Sequence, residues 1–314
     1  MREFTVDRAA DGRRLDALLG ELTHGLPQPL LYKFLRKGRV RVNGKRVSQP
    51  GHRLQAGDRL ECYLNDEFFQ RPSPENAYLR VKPRFQVVYE DENILLADKY
   101  PGLLVLPDRE EGVNTLEAQI QRYLYDRGEY RPGETFPPAL CNRIDRWTGG
   151  IVIAAKNQPA LEEMLERIRL RQVQKTYWCV VLGRLPRREG TLTGYLFKDS
   201  KKSRVYVGDS PRPGAKEAVT HYRVLRTNRE LSLVEARLVT GRTHQIRAQF
   251  AAAGHPLLGD GKYGREPVNR RYHQSYQALY SREVTFIFPP GEGVLQYLSG
   301  RRFQVAQVPF EKLV

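Results

Sequence analysis

Apolar residues at Leu15, Leu18, Leu19 and Leu22 recur at three- and four-residue intervals, the spacing of one helical face. A second short helix is expected directly after it, with Pro29 in its first turn and Leu30, Leu31, Phe34 and Leu35 as its apolar side. Gly38 is a natural stop. The period then changes to two: Val40 and Val42 face one way, Arg39 and Arg41 the other, around an Asn43-Gly44 pair that suits a tight hairpin. From Asn65 to about Arg84 no period is sustained, and NDEFFQRPSPENAY is expected to be a linker.

From Phe85 the pattern becomes strand-rich. FQVVYEDENILLADK predicts two short strands around a Glu-Asp-Glu-Asn turn, and Ile151–Ala155 predicts a buried strand. Asn157 and Pro159 open a helix whose core stripe is expected to be Leu161, Met164, Leu165 and Ile168. QKTYWCVVLG is a strand with Tyr177 near its start, a position that is usually half-buried core and in some proteins a ligand-stacking one. Val234, Ala236 and Leu238 alternate on a further strand face. Gly241 then turns the chain into a helix with Thr243 as its N-cap, His244 in its first turn, and an end near Ala253 and Gly254.

Composition adds a partner class. The 314 residues carry 52 Lys and Arg against 36 Asp and Glu, a formal charge of +16, which points to an anion and first to nucleic acid. The charge is concentrated. Leu22 to Gly57 holds no acidic residue but includes Lys33, Arg36, Lys37, Arg39, Arg41, Lys45, Arg46 and Arg53. Lys and Arg contacts to phosphates add affinity without reading sequence. Lys198–Arg212 is expected to be a basic loop between strands, either lining a nucleic-acid path or simply solvated.

Other classes recede. The stretch MREFTVDRAADGRR is too charged for a secretory leader, and no apolar run reaches the ~18–20 residues of a membrane helix. Cys62, Cys141 and Cys179 are odd in number and widely spaced, and the six histidines form no H-x-x-x-H pair. No structural metal is implied, and reducing cytoplasm is the expected setting. Gly259–Gly264 spells G-x-G-x-x-G, but a Pro-containing loop precedes it where a dinucleotide site needs a strand.

In NRIDRWTGG, Asp145 stands between Arg143 and Arg146 before a glycine turn. Flanking cations favour the ionised form. Such a carboxylate could be a nucleophile, a base, a metal ligand or one half of a structural Asp–Arg pair.

Taken in order, these segments resemble an RluA-like pseudouridine synthase with an appended S4-like RNA-binding domain. The S4-like match runs from about Arg14 to Tyr63. The family's H-R-L-D-x-x-T-S-G motif stands here with Asn142 for His, Ile144 for Leu and Gly149 for Ser. QKTY resembles its K-x-Y segment, TGRTHQIR its third motif, and GHPLLGDGKYG the loop after it. VVYEDENILLADKYPGLLV resembles the opening of the catalytic domain, with Tyr100 inserted. ALYSREVTFIFPP resembles a leucine-histidine-alanine segment, from which Tyr280 and Ser281 depart.

The resemblance implies an α+β protein with an S4-like domain (1–66), a linker (67–84) and a catalytic domain (85–314) built on one bent, mixed, mostly antiparallel sheet with flanking helices. It implies isomerisation of uridine to pseudouridine in RNA, without metal or cofactor; a monomer with no membrane partner is expected. Asp145 would be the essential carboxylate, attacking C1′, adding to the base or assisting an elimination. Arg247 would pair with it, Tyr177 would stack on the target base, and Ile246 would wall it. Arg143 would fill the gap left by the flipped uridine, with Thr148, Arg242 and His244 in the same site. Lys33, Arg36, Lys37, Arg39, Arg41, Lys45 and Arg46 would hold RNA. Ribosomal RNA is the expected substrate. The alternatives are tRNA, an inactive RNA-binding protein, and a nuclease or glycosylase, the last wanting a metal cluster or second carboxylate not visible near the motif.

Overall fold

The computed structural model describes residues 1–23, 26, 28–65, 68–69, 74–108, 112–199, 202 and 204–314. They divide into two compact units, Met1–Ala77 and Tyr78–Val314.

The first unit packs α1 (Leu15–Leu22) and α2 (Gln28–Arg36) with a four-stranded antiparallel sheet. Its strands are β1 (Arg2–Thr5), β2 (Val40–Val42), β3 (Lys45–Arg46) and β4 (Arg59–Cys62), in the order β1-β4-β2-β3. The expected helical stripe forms the core, since Leu15, Leu19, Leu31 and Leu35 are buried with Val40, Val42 and Leu60. Asn43 and Gly44 both take positive φ, 51° and 78°, as the β2–β3 hairpin turn requires.

Across the expected linker, residues 66, 67 and 70–73 lie outside the described residues. Pro74–Arg80 form a 3-10 helix, and Tyr78 is buried in the second unit's core.

The second unit is built on one eleven-stranded sheet. In chain order its elements are β5 (Gln86–Glu90), β6 (Ile94–Lys99), α3 (Leu116–Asp126), β7 (Ala139–Leu140), β8 (Gly149–Ala155) and α4 (Gln158–Arg169). There follow β9 (Val173–Leu182), β10 (Glu189–Asp199), β11 (Arg204–Gly208), β12 (Lys216–Thr227) and β13 (Leu231–Leu238). The last are α5 (Gln245–Ala252), α6 (Glu266–Arg271), β14 (Leu279–Phe286) and β15 (Arg302–Gln304). The sheet order is β11-β10-β12-β13-β9-β14-β8-β6-β5, with β15 on β14 and β7 on β8. Among these pairings only β8–β14 is parallel. The sheet is therefore mixed and mostly antiparallel, and the class is α+β.

Its two faces bury separate cores. On one, Ala160 and Met164 of α4 pack with Ile151, Ile153, Val180 and Phe286. On the other, Leu116, Ile120 and Leu124 of α3 and Ile246 and Phe250 of α5 pack with Val152, Tyr177, Val234 and Ala236. A strand covered on both faces reads as a continuous apolar run, which explains the unbroken stretch Cys179–Leu182 of β9.

Three local expectations are corrected. Leu165 is exposed, and Ala160 takes its place in the α4 core, one turn back on the same face as Met164. Lys198–Arg212 is not one loop: β10 runs on to Asp199 and pairs with β11 (Arg204–Gly208) as a hairpin. Ser200, Lys201 and Ser203 of that segment lie outside the described residues. Thr243 does not cap α5. The N-cap position is His244, in left-handed backbone (φ 53°), with no side-chain capping bond.

Candidate active site

The register of four neighbouring strands builds the floor of the site. Tyr177 of β9 lies opposite Ser281 of β14, Ser281 opposite Gly150 of β8, and Gly150 opposite Lys99 of β6. Gly150 has φ 106°, and a Cβ there would overlap the Ser281 backbone, so only glycine fits the parallel crossing.

Asp145 sits on the loop just before β8. Thr148 N donates to the Asp145 carbonyl at 3.0 Å, and the buried Thr148 hydroxyl accepts from Gln277 Nε2. The loop is anchored from below by Lys99. This fully buried ammonium donates to the carbonyls of Tyr100 (3.1 Å), Leu103 (2.8 Å) and Arg146 (3.0 Å). Burial pushes its pKa down to about 7, against the pull of Asp145 and Asp98.

The flanking arginines are not the ion partners of Asp145. Arg146 Nε donates to the Gly102 carbonyl and its guanidinium lies over Trp147, while Arg143 is exposed. The partner is Arg247 of α5, whose Nη1 is 2.8 Å from Asp145 Oδ2. Neighbours in sequence project apart on a turn, whereas α5, which packs on β10 and β11, reaches the loop before β8 through Arg247. Arg247 is held on its other edge by Asp260, with Nε to Oδ2 at 2.7 Å and Nη2 to Oδ1 at 2.9 Å. Asp260 is itself fixed by the backbone N–H groups of Lys262 (2.9 Å) and Tyr263 (3.1 Å). Burial disfavours both charges, but their bidentate bonding prevails: the Asp260 carboxyl is held below its ordinary range and the Arg247 guanidinium above.

Helix α5 is seated by buried polar groups. Gln245 donates to the Val219 carbonyl and Thr220 and accepts from Thr240; Gln249 bonds Thr220 and the carbonyls of Leu192 and Ala218. Satisfied buried networks of this kind fix one register, and so aim Arg247. His244 Nδ1 lies 3.0 Å from the Tyr263 hydroxyl, and Nε2 lies 3.8 Å from Asp145 Oδ2. Burial, with Arg247 and Lys262 nearby, pushes its pKa down, so the imidazole is neutral at pH 7.

A cavity of about 340 Å³ opens over these groups, within the about 300–1,000 Å³ of small-ligand sites. Asp145, Tyr177 and Arg247 line it together with Arg143, Thr148, Arg242, His244 and Ile246, so all eight residues picked out from the sequence meet around one space. Tyr177 is buried, which pushes its phenol up to about 12, with Ser281 working against the rise and Asp145 adding to it. It therefore enters neutral chemistry as a phenol. Sequence reasoning missed Asp260, Lys99 and Gln277; the only signal for Asp260 is the glycine-flanked GDGKYG loop. Before that loop lies only an isolated bridge, Val181–Leu257, and short α6 follows it.

The departures at 142, 149 and 280 have structural roles. Asn142 Oδ1 accepts from Ile153 N at 2.8 Å and ties the loop to β8. Gly149 and Tyr280 lie opposite each other, and a Cβ at Gly149 would overlap the Tyr280 ring. Tyr280 in turn donates to Asp98 (2.8 Å), a carboxyl that burial pushes up to about 6. Gly149 and Tyr280 thus fill one volume between them, so that Ser and His at these positions would be one exchange. Gly149→Ser should lower unfolding free energy by about 1–3 kcal/mol through overpacking. Adding Tyr280→His should restore most of it, and denaturant titration of both variants would read the coupling. Equal stability of Gly149→Ser and wild type would contradict the exchange.

The RNA pseudouridylate synthase model matches residues 93–252 and the S4 domain model residues 13–60; the chain belongs to the RNA pseudouridine synthase family. It is 32% identical over 303 residues to ribosomal large subunit pseudouridine synthase C of Vibrio cholerae, covering 93% of this chain and 90% of the relative. It is 28% identical over 298 residues to ribosomal large subunit pseudouridine synthase D of Buchnera aphidicola, covering 91% and 90%. The solved structure of human RNA pseudouridylate synthase domain containing 4 shares the fold, with a TM-score of 0.57 at 20% identity over 75% of this chain and 91% of that one.

Proposed function

We propose that the protein isomerises uridines of large-subunit ribosomal RNA, with Asp145 as the essential carboxylate. One observation carries the assignment: Asp145 stands 2.8 Å from Arg247 at the wall of the cavity that Tyr177 lines. In the reaction the N1–C1′ bond of uridine breaks, the base turns, and a C5–C1′ bond forms. The C5 proton leaves to solvent and N1 regains one, so the product is an isomer. The base must leave the RNA stack to reach the cavity, at a cost of about a few kcal/mol. Arg247 orients and balances the Asp145 carboxylate, Tyr177 and Ile246 hold the flipped base, and Thr148 fixes the Asp145 loop. Arg143, exposed and at the cavity edge, takes the place the base vacates, while Arg242 and His244 complete the substrate wall.

The named activities of the Vibrio and Buchnera relatives, together with the S4 domain, support ribosomal RNA as the substrate. Three free, buried cysteines suit the cytoplasm. Chemical mapping of pseudouridines in total RNA from cells with and without the gene tests the reading. Loss at large-subunit positions is expected; loss confined to tRNA, or no loss, overturns it.

The first unit acts as the RNA grip. Lys33, Arg36, Lys37, Arg39, Lys45 and Arg46 are exposed, and Arg41 lies over the Tyr63 ring. Among the described residues none of the seven has an ion pair. Replacing Arg36, Lys37 and Arg41 with Gln together should flatten the dependence of log binding constant on log salt by about 2–3, since each phosphate no longer neutralised removes about 0.7–0.9. An unchanged slope in filter binding would exclude this face.

A further inference from the structure

A second cavity, of about 600 Å³, adjoins the active-site cavity in the same unit. It is lined by the end of α4, the start of β9, His221 of β12, the end of β13, the turn before α5, and Ile287. The two spaces share a wall made by Ile168, Lys175, Leu238, Gly241 and Arg242. Its charge is one-sided: Arg169, Arg171, Lys175, Arg237 and Arg242 line it, and among the described residues no carboxylate does.

These cations differ in what already holds them. Arg169 is paired with Glu166, and Arg242 Nε donates to the Glu217 carbonyl. Arg171, Lys175 and Arg237 have no side-chain hydrogen bond or ion partner among the described residues. Arg171 and Arg237 are exposed at the rim, Arg171 in left-handed backbone at the turn from α4 to β9 (φ 61°). Lys175 lies deeper, on the shared wall. Burial lowers its pKa, and the only opposing influence is the Cys141 thiol. A half-buried ammonium without a counter-ion is held at a cost, and a concave wall of like charges focuses its field on an incoming anion.

We propose that this second cavity holds the RNA backbone adjoining the flipped uridine, with Lys175 seating the phosphate beside the target nucleotide and Arg171 and Arg237 the phosphates beyond it. The inference rests on the reading of the smaller cavity as the uridine site. A strand whose base enters one cavity must leave across its wall, and this wall leads into a space with unpartnered cations. A free phosphate or an acidic peptide would match the charge, but neither needs the continuity with the uridine cavity.

The probe is RNA from cells lacking the gene, labelled with tritium at uridine C5, which pseudouridine formation releases. Arg171→Gln with Arg237→Gln should raise KM by at least about tenfold, because each charged hydrogen bond removed is substantial. It should also reduce the salt slope of binding to the same RNA by about 1.4, or about 0.7 per single-strand phosphate. Each single variant should lower the slope by about 0.7, which keeps the test readable if the pair does not fold. Lys175→Met should raise KM, and Lys175→Arg should recover part of it. An unchanged KM and slope in the arginine variants, or a fall confined to kcat, overturns the proposal. Absence of tritium release by the unaltered protein overturns the uridine reading instead, and the binding slopes still report on the cavity.

Discussion

Asp145→Asn should reduce pseudouridine formation by at least about 10⁴-fold, the scale on which enzymes lose kcat when an essential reacting group is removed. Asn has the size of Asp, and its amide oxygen can still accept from Arg247 Nη1. Arg247 also keeps both bonds to Asp260, so the pocket retains its geometry. What disappears is the negative charge and the lone-pair basicity, and attack at C1′, addition to the base and assisted elimination each need one of these. Asp145 is partly exposed, with 27% of its side chain accessible, so stability should change little. RNA affinity, carried by cations elsewhere, should stay within a few-fold. Tritium release from C5-labelled RNA measures the first quantity, and filter binding the second. Activity above a tenth of the unaltered protein's would remove Asp145 from the chemistry.

The contrast between Asp145 and its partner explains what a sequence can convey. Asp145 is legible as a candidate because the carboxylate and its glycine turn are contiguous, although only the family pattern chooses among its possible roles; contiguity likewise makes Asn43-Gly44 and the α2 stripe ending at Gly38 legible. Arg247 can be matched to Asp145 only through the family pattern, since 102 residues separate them. Their meeting depends on the parallel β8–β14 pairing and on the glutamine bonds that seat α5, neither of which leaves a local period. Asp260 is hidden more deeply. Its loop imitates a dinucleotide motif, and its value lies in a buried guanidinium that composition cannot locate. Leu165 and Thr243 illustrate the opposite error, in which a sound local rule is overruled by tertiary packing. The face of α4 that is covered includes Ala160, and the turn into α5 is taken by His244 in a left-handed conformation.

Asp260→Ala should destabilise the protein by about 3–5 kcal/mol, the cost of breaking a buried ion pair from one side. Arg247 has only 7% of its side chain accessible and Asp260 none, so water cannot reach in to replace the carboxylate. Arg247 would retain Asp145 alone, and the backbone N–H groups of Lys262 and Tyr263 would be left without their acceptor. With one carboxylate gone, the guanidinium is free to swing and to hold the other more closely. Activity should therefore fall by about 100-fold or more even where the variant remains folded, the scale expected when a reacting group is misplaced by about 1 Å. A second variant separates positioning from folding. Arg247→Met with Asp260→Leu replaces the buried pair by apolar side chains of similar size, an exchange that is often neutral for stability. It should regain most of the unfolding free energy while leaving tritium release at the level of Asp260→Ala or below. Recovery of activity along with stability would reduce Arg247 and Asp260 to packing. Wild-type stability in Asp260→Ala would mean that the carboxylate–arginine–carboxylate chain does not hold the site together.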